Sequence, residues 1–390
     1  MTCKSLSLGL FILGVSAPGM AGARPASQDT TLIHGTLAIP FERCGNLAFI
    51  PVRVNGSDTL SFLIDSGANA CVIDLRRAEE LKLKRLERVK GSGAGKGPVD
   101  TWIMDNTQVT FGLPGLDVHA DLVAALDLSN NLPVLGRRVD GILGYDLLDR
   151  FLVELDYEAG VLLLSPRDSL LAPGSGVTLP LVFSNRLPHV EVMLTPTGHE
   201  PLRQTLLVDS GSNDAVDDSL LTLSTSPLIE TMSGVGQGKE FRSVAGRWGS
   251  VDIGTLHFTD VPGGAGGVPL IGGEVLRRFT VIFDFQHERL ILKPNRHVSD
   301  PFVEDASGLS LRLVPDSGAL RVHDVTPRSP AQECGVRVND VLLAVDGAPV
   351  QKLGLERTAR LFQEAGRSYR LRIRRSKDEL NLILVTRTLL

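Results

Sequence analysis

Four cysteines in 390 residues are too few for a disulfide scaffold. The net charge of −5 leaves no basic surplus for a nucleic-acid partner, and none is expected. The eight histidines are scattered, with neither His-Glu-x-x-His nor paired-Cys spacing, so no metal and no cofactor is called for. A Gly-x-Ser-x-Gly elbow is missing, which disfavours a serine hydrolase. Beyond residue 23 no apolar run is long enough to span a bilayer. The glycine-rich stretch Gly91–Pro98 lacks the terminal Gly-Lys-Ser/Thr of a phosphate-binding loop.

What is present is the make-up of a globular chain. Apolar residues are 43% and charged residues 22%, and the length predicts two to three domains. Forty glycines and 22 prolines, with few long helical patterns, favour a mainly β chain. Residues 1–23 read as an export signal: Lys4, an apolar stretch from Leu6 to Val15, then Ala21-Gly22-Ala23. Cleavage there predicts a periplasmic or secreted protein without a stable membrane span. No pro-segment is expected before the first strand. In an oxidising compartment Cys44 and Cys71 pair, or they are two small buried thiols; both readings stand.

One tripeptide occurs twice at strand ends. Asp65-Ser66-Gly67 follows Leu60, Phe62, Leu63 and Ile64, and Asp209-Ser210-Gly211 follows Leu206, Leu207 and Val208. Each reads as a buried strand ending in a carboxylate on a tight turn. Downstream, Ile142-Leu143-Gly144 and Leu270-Ile271-Gly272 open a second repeat. At an offset of 128 it aligns Gly144 with Gly272, Arg150 with Arg278, Phe151 with Phe279, and Asp156 with Asp284. Two copies in fixed order predict two lobes about a pseudo-twofold axis. Asp156 and Asp284 lack a following Ser-Gly and read as structural. Residues 74–88 carry helix-favouring composition and read as a short surface helix.

Both halves of this pattern, in both repeats, resemble the aspartic proteases of pepsin and retroviral type over residues 36–294. The resemblance implies an N-terminal lobe at 36–171, a C-terminal lobe at 177–294, and Asp65 and Asp209 as the catalytic pair. Ser66, Gly67, Ser210, Gly211 and Ser212 would support the catalytic loops, the serines by bonding across the lobes. Gly93, Gly95 and Gly97, with Gly234, Gly236 and Gly238, match the mobile flap over the cleft; an ordinary flexible loop is the alternative. No tyrosine lies there, and Trp102 is the nearest large aromatic.

The stretch Ser329–Val350 resembles a bacterial PDZ domain, at 305–390, through Ser329-Pro330-Ala331, Gly335, Asn339–Leu342 and Asp346-Gly347. It implies a peptide-binding loop at Gly308, Leu309, Ser310 and Leu311, which would take a peptide C-terminus or extended segment. The expected architecture is thus mainly β: two aspartic-protease lobes plus an α+β PDZ domain. The expected function is an exported aspartic endopeptidase acting on polypeptide. The alternatives are a non-catalytic peptide-binding scaffold and a PDZ-mediated regulatory module.

The first motif continues with Ala68, the second with Ser212. In pepsin-like enzymes a hydroxyl here donates to the outer carboxylate oxygen and favours the charged form. Ala68 cannot. Activity is therefore expected at mildly acidic to neutral pH; a pH–rate profile peaking at about pH 2 would overturn this.

Overall fold

The computed structural model describes residues 35–169, 174 and 176–390, with backbone alone at 235–236 and in the short strands Leu6–Ser7 and Phe11–Ile12. The export signal read in residues 1–23, and residues 172, 173 and 175 of the linker between lobes, otherwise lie outside the described residues. The fold is mainly β. No helix among the described residues is long and apolar enough to cross a membrane.

Each lobe is built on a hairpin whose second strand ends at the Asp-Ser-Gly turn. In the first lobe, Leu47–Val54 pairs antiparallel with Leu60–Ile64. Asn55 and Gly56 take φ of 52° and 73°, the left-handed pair a tight hairpin turn requires. In the second lobe, Leu187–Pro196 pairs with Leu202–Val208.

The motif strands then pair in parallel with the second repeat: Leu60–Ile64 with Gly141–Leu143, and Leu202–Val208 with Leu270–Ile271. This brings the two sequence signatures of a lobe side by side. Asp65 N–H donates to Leu143 O at 3.0 Å, and Asp209 N–H to Ile271 O at 2.9 Å. A Cβ on Gly144 would sit 2.4 Å from Ala68 O, and one on Gly272 2.4 Å from Asp214 O. Only glycine admits the active-loop backbone so close.

The lobes share a six-stranded antiparallel sheet. Its centre is Phe151–Asp156 against Phe279–Asp284, with Val153 facing Phe283 and Leu155 facing Val281. At the offset of 128, Val153 corresponds to Val281 and Leu155 to Phe283. Exchanging the lobes therefore maps this ladder onto itself, as a twofold axis requires. All four side chains are fully buried. Asp156 and Asp284 cap the turns of the flanking hairpins. Asp156 accepts from the N–H groups of Glu158 and Ala159, and Asp284 from His287 N–H and from the Arg289 guanidinium.

The helix expected over 74–88 is cut short. It spans Leu75–Glu80, capped by Asp74. Lys82 then takes a φ of 54°, and Arg85–Ser92 is a strand paired with Val99–Met104. Pairing with Val99–Met104, and guanidinium stacking of Arg85 and Arg88 on Trp102 at 5.0 and 5.8 Å, override the local helix preference. Cys44 and Cys71 are buried free thiols in different clusters, so the disulfide alternative does not hold. Burial pushes the Cys44 thiol up to about 11.

The C-terminal unit is a separate antiparallel sheet with its own core around Leu320, Val322, Phe362, Tyr369 and Ile373. Leu309–Val314 is its edge strand, and the helix Val350–Leu361 packs against the sheet.

The repeated arginines have diverged. Arg150 is partly exposed and pairs with Asp121. Arg278 is fully buried, donates to the carbonyls of Glu274, His297 and Asp300, and lies 3.8 Å from the Phe302 ring. It fixes the connector to the C-terminal unit on the second lobe. Arg278→Met is expected to cost roughly 3 kcal/mol, because Glu274 loses its buried ion-pair partner and several part-buried carbonyls lose their donor. A lower urea midpoint at unchanged slope would show it; an unchanged midpoint would refute it.

Candidate active site

Asp65 and Asp209 come together on the axis, both fully buried, each carboxyl group set against the glycine of the opposite turn. Each Oδ1 accepts the N–H of its own turn's glycine, Gly67 or Gly211, at 2.8 Å. A Cβ on Gly67 would stand 2.6 Å from Asp209 Oδ1, and one on Gly211 2.3 Å from Asp65 Cγ. Each glycine therefore makes room for the opposite lobe's carboxyl group.

The serines lock the turns together. Ser66 N–H donates to Ser210 Oγ and Ser210 N–H to Ser66 Oγ, both at 3.0 Å. Ser66 Oγ donates to Val208 O at 2.6 Å, and Ser210 Oγ to Ile64 O at 3.1 Å. Ser212 departs from the expected role. Its hydroxyl donates to Asp214 at 3.2 Å and accepts Asp214 N–H at 3.1 Å, because that residue offers a local turn two positions on.

Burial pushes Asp65 well above the usual carboxylate range, and the adjacent Asp209 charge adds to it. The N–H groups of Gly67 and Gly211 oppose the shift without cancelling it. Two acids so placed cannot both ionise; they hold one proton between them. Such a pair can offer a base and an acid to the same reacting group.

A second cross-lobe clamp was not read from the sequence. Asn46 N–H donates to Asn213 Oδ1 at 2.8 Å, and Asn46 Nδ2 reaches Asn213 O and Glu274. On the other lobe Arg186 reaches Asn69 O and Asp146. Asn69 and Asn213 recur at the same spacing of 144 as the aspartates, so the repeat Asp-Ser-Gly-x-Asn carried this signal.

Two hairpins meet tip to tip. The first is Arg85–Ser92 with Val99–Met104; the second is Ile229–Ser233 with Phe241–Ile253. Gly95 N–H donates to Gln237 O at 2.7 Å, and Lys96 and Lys239 exchange backbone bonds at 2.8 and 2.9 Å. Gly93 packs on Gln237, and Gly234 and Gly238 pack on Gly95. Gly97 faces open space at a φ of 85°, and Gly236 belongs to a two-residue strand just before Gln237. Trp102 lies under Arg85 and Arg88.

In the C-terminal unit the first donors of the expected peptide-binding loop are already filled. Asp305 accepts from Gly308 N–H at 2.6 Å and from Ser307 N–H at 3.2 Å, while Leu309 N–H goes to Ser307 Oγ at 3.0 Å. Ser310 and Leu311 continue into the edge strand.

Residues 50–147 match the family model for aspartyl proteases, and residues 321–375 match that for PDZ domains. The chain carries an aspartyl protease domain and a PDZ domain. The aspartyl protease match covers the first lobe with Asp65. It ends before the second, which the shared sheet and the interlocked turns tie to it. The chain is also similar to the magnetosome formation protease MamE of Magnetospirillum gryphiswaldense, 41% identical over 81 residues, 20% of this chain and 10% of that protein. It is 44% identical to MamE of Paramagnetospirillum magneticum over 73 residues, 18% of this chain and 10% of that one. The chain thus spans about a tenth of the length of these curated relatives. Among the described residues no group of His, Cys, Asp and Glu is arranged to hold a metal ion.

In the second lobe the buried Asp217 Oδ1 accepts Gly264 N–H at 2.7 Å. Burial pushes its carboxyl up to about 7. A carboxyl with a raised folded pKa stabilises fully below its unfolded value, about 4. That contribution is lost as pH rises through about 7. Asp217→Asn keeps the acceptor and removes the titration. Wild type should lose on the order of 2–4 kcal/mol more than this variant between pH 4 and 8. Parallel stability curves from urea unfolding would contradict it.

Proposed function

We propose that this protein is an exported aspartic endopeptidase that hydrolyses peptide bonds in a polypeptide lying between the two lobes. One observation carries the reading: Asp65 and Asp209, each on an Asp-Ser-Gly turn, share one buried contact across an interlocked twofold axis. The aspartyl protease match and the similarity to a named protease support it.

In this reading the ionised carboxyl takes a proton from a water between the pair. The water attacks the peptide carbonyl, and the protonated partner donates to the carbonyl oxygen. A proton then passes to the leaving amine. Gly67 and Gly211 N–H groups steady the ionised state through the two Oδ1 atoms. Ser66 and Ser210 keep both carboxyls at fixed separation. The two glycine-tipped hairpins act as paired flaps that part to admit substrate. The extended substrate pairs with their backbone.

The proposed organisation is a leader at 1–23, lobes at 36–171 and 177–294, and the PDZ unit at 305–390. The PDZ unit supplies recruitment of a substrate or partner peptide.

Asp65→Asn and Asp209→Asn each remove the shared proton while keeping side-chain volume. Both should lower hydrolysis of a fluorogenic peptide library by about a thousandfold or more, with the thermal midpoint kept or raised. Wild-type turnover in either variant would end the proposal.

A further inference from the structure

The PDZ unit touches both halves of the protease domain, and it does so through its peptide-binding edge. On one side, the first-lobe helix Asn131–Leu135 packs against the edge strand Leu309–Val314. The next residue, Gly136, abuts Leu355 on the helix Val350–Leu361; a Cβ there would lie 3.3 Å from Leu355 Cβ. Residues 131–136 therefore lie across both walls of the groove where a PDZ domain adds a ligand strand. Asp305 already fills the adjoining loop's first donors.

On the other side, Glu240 follows directly on Lys239, the residue that pairs with Lys96 at the flap tips. Its carboxylate is held by Arg312 of the edge strand and by His323 of the neighbouring strand, at 2.9 Å from the latter. Asp324 of that same strand pairs with Arg242 at 3.1 Å. The outgoing strand of the second flap is thus pinned to the PDZ sheet by two adjacent ion-pair clusters.

The docked state carries a built-in weakness. Asn131 is fully buried, and neither its Nδ2 nor its Oδ1 has a hydrogen-bond partner among the described residues. An unsatisfied amide in the docking helix leaves that contact less than fully matched, so residues 131–136 can be exchanged for a better-matched peptide.

We propose that the PDZ unit is an internal brake on the cleft. Its peptide edge is occupied by the chain's own residues 131–136, and while docked it clamps the second flap shut through Glu240 and Arg242. A peptide that displaces residues 131–136 frees the PDZ unit and lets the flaps part. The inference rests on the peptidase reading above for its effect on turnover, but the docking itself does not.

Three measurements on the full chain test it. Glu240→Gln removes the charge that Arg312 and His323 hold, and should raise kcat/KM by about tenfold with the thermal midpoint little changed. A synthetic peptide copying residues 127–138 should raise wild-type turnover in trans. The Gly136→Cys/Leu355→Cys protein should form a cross-link under mild oxidant, since the facing Cβ separation of 3.3 Å is close to the disulfide range. Once oxidised it should be slow and unresponsive to the 127–138 peptide, and reductant should restore the response. Unchanged turnover in Glu240→Gln, or equal rates for the oxidised and reduced double-cysteine protein, would overturn the brake. If no protein in the set cleaves any peptide, the peptidase reading falls instead. Cross-link formation then upholds the docking, and failure to cross-link overturns it.

Discussion

The four hydrogen bonds exchanged by Ser66 and Ser210 are the constraint on which the rest depends. Each hydroxyl accepts an N–H from the opposite turn and donates to a carbonyl one residue before the opposite aspartate. Both serine hydroxyls and both serine N–H groups are therefore paired, in a region shielded from water. Buried polar groups are costly unless paired, so the arrangement tolerates little slippage. That is what permits two carboxyl groups to be held against each other, a contact that mutual repulsion and desolvation both oppose. Glycines at 67 and 211 are the steric corollary, and Asn46 with Arg186 adds a second cross-lobe clamp around the same turns.

Much of this was legible in the sequence because it is repeated. The two Asp-Ser-Gly turns, the two apolar-Gly segments and the offset of 128 describe a lobe that occurs twice. Strand patterning placed each carboxylate at the end of a buried strand, where the structure has them. Asn69 and Asn213 belonged to the same repeat, but their partners Asn46 and Arg186 differ in type. A comparison of residue identities passes over such a pair.

What the sequence did not disclose depends on contacts far apart in the chain. The 74–88 segment has helical composition, yet its last four residues are strand because Val99–Met104 offers a ladder partner. Ser212 looked like a donor to the carboxyl pair, but Asp214 lies nearer along the chain. Glu240 reads as an unremarkable surface acid. Its tie to Arg312 and His323 spans more than seventy positions, and no local pattern announces it. The docking of the PDZ edge on residues 131–136 is equally silent, since both surfaces look like ordinary amphipathic elements.

The six-stranded sheet under the cleft has a mechanical corollary. Its central ladder joins Phe151–Asp156 to Phe279–Asp284 by continuous backbone pairing, with buried side chains on the axis. Swinging the lobes apart like jaws would tear that ladder, so the spacing of the lobes at the sheet is fixed. In the proposed peptidase a polypeptide would have to enter between the two hairpins, which meet through backbone bonds near Gly95 and Lys239. The rigid and yielding parts of the molecule are thereby separated in space.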